Sequence, residues 1–332
     1  MKINIDDIRN TTESFLIHIG FDKKVAGGCV ENIIAAEIAG KKTHGLIRCI
    51  HLKSWLDRGK IETSSKKYKI IAKSAVHLHV DGNYLPGFYA INESLKDSIN
   101  CAKKSKLFLT SVKNLGITGF IGDYARKVAE SDLIYIGFHN SQGGLTPYGS
   151  KKDLWGTDPI TFGIPSGDLP VIFDAASTKI TWGELMLSRL KNKKLPEDVA
   201  IDANGNLTLD ANKAVSLLPF FGRKGSGFAM MVELLAGVLT DSGVGGSIPG
   251  GWGSFYMLID PNLFKPINEY KKDVFTVIKE LKSLPRAKGV KEIFFPGEQS
   301  GILRKRALKS GIIDVDDEIY NNILNTLNKP AD

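Results

Sequence analysis

The chain has 332 residues, of which 42% are hydrophobic and 24% charged, values typical of a folded globular protein and not of a disordered or fibrous one. Its net charge of +8 reflects either an anionic ligand or composition alone. No basic segment carries the interleaved aromatic residues of a nucleic-acid-binding module, so we predict no nucleic-acid partner. No signal peptide or membrane span is predicted. Three scattered cysteines and six histidines favour a cytoplasmic protein without disulfides or a metal site.

Hydrophobic periodicity predicts alternating helices and strands along the chain. In the first half, the predicted elements are helices over 5–19, 22–40 and 44–58, strands within 68–80, a helix over 89–104, a strand over 107–112, a helix over 119–131 and a strand over 133–138. In the second half, they are strands over 158–164 and 171–173, a helix over 225–239, a strand over 254–259 and helices over 270–284 and 316–327. The helix over 225–239 is apolar nearly all round, which predicts that it is buried.

These elements indicate an α/β fold with helical ends around a mixed α/β middle, and we expect the two termini to pack together. No G-x-G-x-x-G motif lies between a first strand and a helix, which argues against an ordinary Rossmann nucleotide site.

The segment from Thr43 to Arg48 places His44 and Arg48 four residues apart. If Thr43 caps a helix, both side chains lie on one helix face near free backbone N–H groups. A proton donor beside an arginine fork suits a small 2-oxo or 2-imino acid. The alternative interpretation is an ordinary pair on a surface helix.

A second candidate site precedes the apolar helix, where Lys224 is followed by Gly225 and Gly227. A cation and glycine N–H groups at a helix start suit a pyrophosphate. The alternative is a solvated lysine in a turn.

Several further motifs occur in a fixed order along nearly the whole chain. The complete series is Thr43-His44-Gly45-x-x-Arg48, Asp81-Gly82-x4-Gly87, Val112-Lys113-Asn114, Gly119-x4-Tyr124-Ala125, Gly156-Thr157-Asp158-Pro159, Phe173-Asp174-Ala175-Ala176-Ser177, Arg223-Lys224-Gly225-x-Gly227 and Phe295-Pro296-Gly297-Glu298. In this order they resemble the malate/L-lactate dehydrogenase family, also called the sulfolactate dehydrogenase-like family. That family includes ureidoglycolate, diketogulonate and Δ1-piperideine-2-carboxylate oxidoreductases.

The resemblance implies a homodimer and a nicotinamide-binding domain that is not a Rossmann fold. It also implies a helical domain built from 1–75 and 265–332 and a cofactor-binding α/β domain over 76–264. His44 matches a proton donor near the nicotinamide, and Arg48 matches the arginine that binds the substrate carboxylate. The residues that match cofactor-binding motifs are Gly156, Thr157, Asp158, Pro159, Asp174, Ala175, Ala176, Lys224, Gly225, Gly227, Gly297 and Glu298. The segment with Asp174 is expected to follow a strand and line the dinucleotide.

Departures from the family pattern concern the proton path above all. Ile117 stands where the family usually has an acid/base histidine, and isoleucine cannot donate a proton. Asp158 replaces the usual asparagine, Arg223 a common histidine and Glu184 a frequent lysine.

We therefore expect an oxidoreductase that uses NAD or NADP and moves hydride to or from C2 of a small anionic 2-oxo or 2-hydroxy acid. One alternative is reduction of a cyclic 2-imino acid. Its nitrogen enters the site already protonated, and Ile117 would form an apolar wall against its ring. Another is a catalytically impaired, nucleotide-binding paralogue. The sequence does not separate NADH from NADPH.

Overall fold

The computed structural model describes residues 1–245 and 247–329. Its helices are α1 (Ile5–His18), α2 (Lys23–Ile38), α3 (Ile47–Asp57), α4 (Gly87–Ser105), α5 (Ile121–Ala129), α6 (Trp182–Leu190), α7 (Arg223–Val232), α8 (Ile267–Ser283), α9 (Glu298–Ser310) and α10 (Asp317–Leu327). Its strands are β1 (Lys2–Asn4), β2 (Lys69–Lys73), β3 (His77–Asp81), β4 (Leu107–Leu115), β5 (Ile134–His139), β6 (Ile160–Ile164), β7 (Val171–Ala175), β8 (Ala200–Ile201), β9 (Ser216–Leu217), β10 (Trp252–Ile259) and β11 (Ile312–Asp314).

A seven-stranded mixed sheet lies at the centre, in the order β2-β3-β4-β10-β5-β6-β7. β3 and β4 pair in parallel, and the remaining neighbours in the described sheet pair antiparallel. β10 enters the middle of the sheet between β4 and β5, although it lies far along the chain. The predicted α/β class is confirmed.

The two ends of the chain pack together, as expected. β1 pairs with β11, and Ile3 lies opposite Ile313. The Thr11 and Tyr320 hydroxyls, on α1 and α10, are 3.2 Å apart. One continuous hydrophobic core joins these terminal helices to the sheet, so the division at 75/76 and 264/265 stays a prediction.

Helix α2 connects the terminal helices to the sheet through α4. Asp22 caps α2, because its Oδ1 accepts from the Val25 N–H at 2.9 Å. A Cβ at Gly28 would lie 3.0–3.2 Å from atoms of Tyr89 on α4, so glycine lets the two helices approach closely. The carboxyl end of α2 therefore has a fixed position, and the candidate site begins there.

Some elements were missed by hydrophobic periodicity. α6 begins with a capping box formed by Thr181 and Glu184, a local signal that hydrophobic periodicity does not report. α9 buries only Glu298 and Ala307 among its residues, so it has no apolar stripe to detect. The short strands β1, β8, β9 and β11 are defined by their partners and have too few residues to show a period.

The predicted burial of the apolar helix over 225–239 is wrong for the single chain. α7 continues into one π-helical turn, Glu233–Val238. Its buried side consists of small residues and Val232, whereas Phe228 is 46% exposed and Leu239 60%. The large side chains thus form an outward apolar face. In the described residues, no helix is both long and apolar enough to cross a membrane.

Candidate active site

The segment that holds His44 is fixed by Glu37 at the end of α2. Glu37 Oε1 accepts from the Leu46 N–H at 2.8 Å, and its Oε2 accepts from Lys42 Nζ at 2.6 Å. A Cβ at Gly45 would overlap with the Glu37 carboxylate, so glycine is required there. The expectation that Thr43 caps the helix is wrong, because α3 begins at Ile47 and this carboxylate satisfies the preceding N–H.

His44 therefore lies in a 3-10 turn before α3, and not in its first turn. Thr43 Oγ1 is 2.9 Å from His44 Nδ1, which leaves Nε2 for a ligand. Burial lowers the pKa of His44 well below its usual value, and the charges of Arg48 and Lys41 lower it further. At neutral pH the imidazole is uncharged.

Arg48, the second residue of α3, is a partly buried cation without a carboxylate partner among the described residues. Its Nε is fully enclosed and has no hydrogen-bond partner there. Nη1 lies 3.4 Å from Nδ1 of His51, one turn along the helix. Burial lowers the pKa of Arg48 to about 10 and, together with the Arg48 charge, that of His51 to about 4. The group is complementary to an anion.

A cavity of about 530 Å³ opens between α5, β7 and the start of α9. Basic side chains at its wall are Lys41, Arg126, Arg304 and Lys305, acidic ones are Glu130, Asp168 and Asp174, and aromatic ones are Phe120, Phe173, Phe294 and Phe295. The Phe120 and His44 rings are 6.4 Å apart between centroids, so His44 lies next to one wall of the cavity.

Asp174 and Gly297, both predicted to bind cofactor, line this cavity. Asp174 and Ala175 lie within β7, and only Ala176 follows it, so the expectation that this segment comes after the strand is corrected. Asp174 Oδ2 accepts from the Gly122 N–H at 3.1 Å. Burial raises the pKa of Asp174 to about 6, although Lys41 and this N–H oppose the shift.

Gly297 and Glu298, from the last motif of the series, have different surroundings. Gly297 has φ +85°, and a Cβ there would lie 2.9 Å from Ile172, so both conformation and space require glycine. Glu298 is buried and is not one of the residues that line the cavity. Its carboxylate accepts from Lys282 and from the Phe295 N–H.

The loop Gly156–Pro159 is held by short hydrogen bonds to its neighbours. A Cβ at Gly156 would overlap with Ser141, whose Oγ accepts from the Thr157 N–H at 3.1 Å. Ser177 donates its N–H to the Thr157 carbonyl at 2.7 Å and its hydroxyl to the Asp158 carbonyl at 2.6 Å. The loop is thus joined to the segment after β7.

The Lys224 turn is attached to the same segment, because the Phe220 N–H donates to the Ser177 carbonyl at 3.0 Å. Gly225 packs directly on the Phe220 carbonyl, where a Cβ would overlap, whereas a Cβ at Gly227 would meet open space. Lys224 itself is exposed at the start of α7.

Ile117 is 5% exposed and belongs to the main hydrophobic core. Its carbonyl accepts from the Gly87 N–H at 2.9 Å, which joins this segment to the start of α4. The side chain provides an apolar surface and no proton donor.

The structure thus brings Asp174 and Gly297 to one cavity and places His44 beside its Phe120 wall. The Gly156–Pro159 loop and the Lys224 turn lie outside the cavity wall and meet at Ser177. Sequence reasoning gave no role to Glu37, Lys41, Ser177 or Arg304. The position of Lys41 just before the Thr43 motif was the one local signal for it. Within 1–245 and 247–329, no group of three His, Cys, Asp or Glu residues is arranged to hold a metal ion.

The chain matches known proteins over nearly its whole length. A family profile described as malate/L-lactate dehydrogenase matches residues 3–324. Malate/(S)-sulfolactate dehydrogenase of Methanothermus fervidus is 29% identical, over 100% of this chain and 98% of the relative. Ureidoglycolate dehydrogenase (NAD(+)) of Escherichia coli O157:H7 is 26% identical, over 98% and 95%. The malate dehydrogenase structure from Entamoeba histolytica superposes with a TM-score of 0.91, at 23% identity and 99% coverage of both chains.

Proposed function

The chain belongs to the malate/L-lactate dehydrogenase family, and from this premise we propose that it transfers hydride between a nicotinamide cofactor, NAD or NADP, and C2 of a small 2-oxo or 2-hydroxy carboxylate. Dehydrogenases of this family act on small hydroxy or oxo acids and use nicotinamide cofactors. The finer assignment rests on the residues around His44.

The environment of Arg48 is the observation that carries the proposal. Among the described residues, the guanidinium has an enclosed Nε without a hydrogen-bond partner and no carboxylate beside it, so it is complementary to a substrate carboxylate. Two parallel hydrogen bonds to that carboxylate would also fix the orientation of C2. Arg48 is therefore proposed as the substrate anchor.

His44 is proposed to move the proton at the substrate oxygen. The uncharged imidazole with a free Nε2 accepts a proton from a 2-hydroxy acid in the oxidative direction. In the reductive direction it must first be protonated. A substrate carboxylate on Arg48 favours that protonation, because it neutralises the nearest charge that lowers the pKa of His44.

The cavity at the end of β7 has the size and chemistry for part of a dinucleotide. Its basic residues suit phosphate groups, and its aromatic residues suit an apolar ring. We propose that Asp174 and Gly297 hold the adenosine half and that the Gly156–Pro159 loop and Lys224 hold the rest. When bound, the cofactor supplies or accepts the hydride. A mostly antiparallel sheet supports a binding mode other than the Rossmann one.

Reduction of a cyclic 2-imino acid is the second candidate. It is favoured by Ile117, which places a buried apolar side chain where a second proton donor is usual. A protonated cyclic imine needs no proton in the hydride step, so His44 would serve only to orient it.

A panel of 2-oxo acids, 2-hydroxy acids and cyclic 2-imino acids, each with NAD(H) and NADP(H), tests these functions through absorbance of the reduced nicotinamide. Turnover of oxo or hydroxy acids with no imine activity supports the main proposal. Faster imine reduction, falling as pH rises and the iminium fraction drops, supports the second. Tight cofactor binding without any turnover contradicts both and leaves an impaired paralogue.

We also propose that two copies associate through the outward face of α7. Phe228, Met231, Leu234 and Leu239 are each 41–60% exposed on this face, an arrangement typical of an interface. Met231→Glu is expected to give monomers in light scattering. Val277→Glu, which changes an exposed apolar residue on α8, is the matched control and should stay dimeric. A monomeric wild-type protein at micromolar concentration would overturn this proposal.

A further inference from the structure

Two carboxyl groups meet in the interior beside the proposed cofactor loop. Asp158 is 0% exposed and Glu233, the first residue of the π-helical turn, is 1% exposed. Their donors come from two adjacent residues, Asn140 for Glu233 and Ser141 for Asp158, which places the two carboxyl groups side by side. Asp158 also has φ +37°, a left-handed conformation that asparagine and aspartate tolerate better than other residues.

The hydrogen bonds of the pair leave one oxygen on each group without a donor. Asp158 Oδ1 accepts from the Ser141 N–H at 3.1 Å, and Glu233 Oε2 accepts from Asn140 Nδ2 at 2.9 Å. Asp158 Oδ2 and Glu233 Oε1 are enclosed and have no partner among the described donors. One proton between these two oxygens satisfies both at once, because a protonated carboxyl is a donor.

In the part of the chain that the structure describes, no charged side chain compensates a doubly ionised pair. The titratable groups on the elements packed against the π-helical turn are His139 and Tyr135 of β5, Tyr256 of β10, and Arg223 and Lys224 of α7. None of them forms an ion pair or a hydrogen bond with either carboxyl. His139 is uncharged, since burial lowers its pKa to about 3. Burial and Glu233 together raise the pKa of Asp158 well above its usual value.

We propose that Asp158 and Glu233 share one proton in the folded protein and that this proton holds the Gly156–Pro159 loop in the arrangement that receives the cofactor. Asp158 is then a positioning residue. The loop and the π-helical turn are joined through the pair, and Ser177 carries the connection to the segment after β7. The cofactor half of this inference rests on the proposed function, whereas the shared proton does not.

Loss of the shared proton is expected to lower the stability of the folded protein. A second negative charge in this enclosed site faces no cation of the described residues, so it drives the loop and the π-helical turn apart. A carboxyl whose pKa is raised in the folded state favours folding below its unfolded pKa, and this advantage is lost as pH rises through the folded pKa. Asparagine at 158 offers the same donor permanently, so Asp158→Asn keeps the contact and removes the titration.

Thermal unfolding of the cofactor-free protein between pH 4 and 9 tests the shared proton. Asp158→Asn and wild type should unfold at similar temperatures at pH 4, and the variant should be increasingly more stable as pH rises. Glu233→Gln should behave likewise. Asp260→Asn is the matched control. Asp260 pairs with Lys106 at 2.8 Å, which helps to lower its pKa, so this variant should be less stable than wild type by a nearly constant amount across this pH range. Parallel curves for wild type and Asp158→Asn would overturn the proposal.

Infrared spectroscopy supplies a direct readout. Wild type at pH 7 should show the carbonyl band of a buried protonated carboxylic acid, shifted in D₂O and absent from Asp158→Asn. A spectrum without this band would also overturn the shared proton.

Fluorescence titration with NADH and NADPH tests the link to the loop. Wild-type Kd should rise about tenfold per pH unit above the pKa of the pair, while the Kd of Asp158→Asn should show no such rise. Equal pH dependence of the two proteins would overturn the positioning role. If neither cofactor binds at any pH, the cofactor role falls together with the proposed function, and the unfolding and infrared data still decide the shared proton.

Discussion

Replacing Arg48 is expected to change stability and substrate binding in opposite directions. Burial alone lowers the pKa of Arg48 from its ordinary value to about 10. Since one pKa unit corresponds to about 1.36 kcal/mol, burial disfavours the charged form by up to about 3 kcal/mol. The side chain is only partly enclosed, so solvent screening reduces this figure. We therefore expect Arg48→Met to stabilise the substrate-free protein by about 1–3 kcal/mol.

The same variant should lose most activity. Removing one partner of a hydrogen-bonded charge pair costs about 2–5 kcal/mol, so kcat/KM should fall by about 30-fold to several thousand-fold. Arg48→Lys keeps the charge but loses the planar fork, and the loss of one charge-assisted bond predicts a KM about 10- to 150-fold higher. Cofactor affinity should be retained in both variants.

Urea unfolding and initial rates on the substrate identified by the panel provide the measurements. Arg58→Lys is the matched control, because Arg58 follows α3 and, among the described residues, its side chain bonds to Ser54 alone. Equal kcat/KM for Arg48→Lys and wild type would place the anchor elsewhere. An Arg48→Met protein that is less stable than wild type would refute the account of an uncompensated buried cation.

Further predictions concern the cofactor and the proton path. Lys224→Ala should weaken NAD(P)H binding by about 1–3 kcal/mol in fluorescence titration, as expected for a charge-assisted contact; unchanged affinity for both cofactors would remove Lys224 from the site. Ile117→His should raise 2-oxo acid reduction by up to about 10²–10⁴-fold in stopped-flow rates, where a proton must move, and should leave imine reduction no better. A lower rate on oxo acids in a correctly folded variant would contradict this role. Asp174→Asn should match wild-type stability near pH 4 and exceed it above pH 6 in thermal unfolding, because the raised pKa of Asp174 removes a stabilising contribution as pH rises towards about 6. Identical pH profiles would show that the carboxyl is not buried as described.

The spacing of His44 and Arg48 predicts two side chains on one helix face, with roles at the substrate. The roles stay a prediction, but the helix face is wrong, because His44 lies in a 3-10 turn and only Arg48 lies in α3. Thr43 orients the imidazole, and the N–H at the start of α3 is satisfied by Glu37 from another helix. No short-range pattern reveals a partner that arrives through tertiary packing.

The sequence correctly predicts that α7 is apolar, but the burial predicted from it is wrong for the single chain. Periodicity reports which residues avoid water, and it does not say whether this chain or another one covers them. Small residues on one side of α7 pack inward, and the large ones face out.

The sequence by itself determined the helices and strands with a clear period, the α/β class and the family-like motifs. Tertiary structure alone decided that β10 enters the centre of the sheet, that Asp174 faces the cavity of Gly297, and that Asp158 lies against Glu233. Helical and strand periods arise from neighbours a few residues apart, so a sequence displays them directly. The charge state of Asp158, in contrast, depends on burial and on a carboxyl far along the chain, and both exist only once the chain has folded.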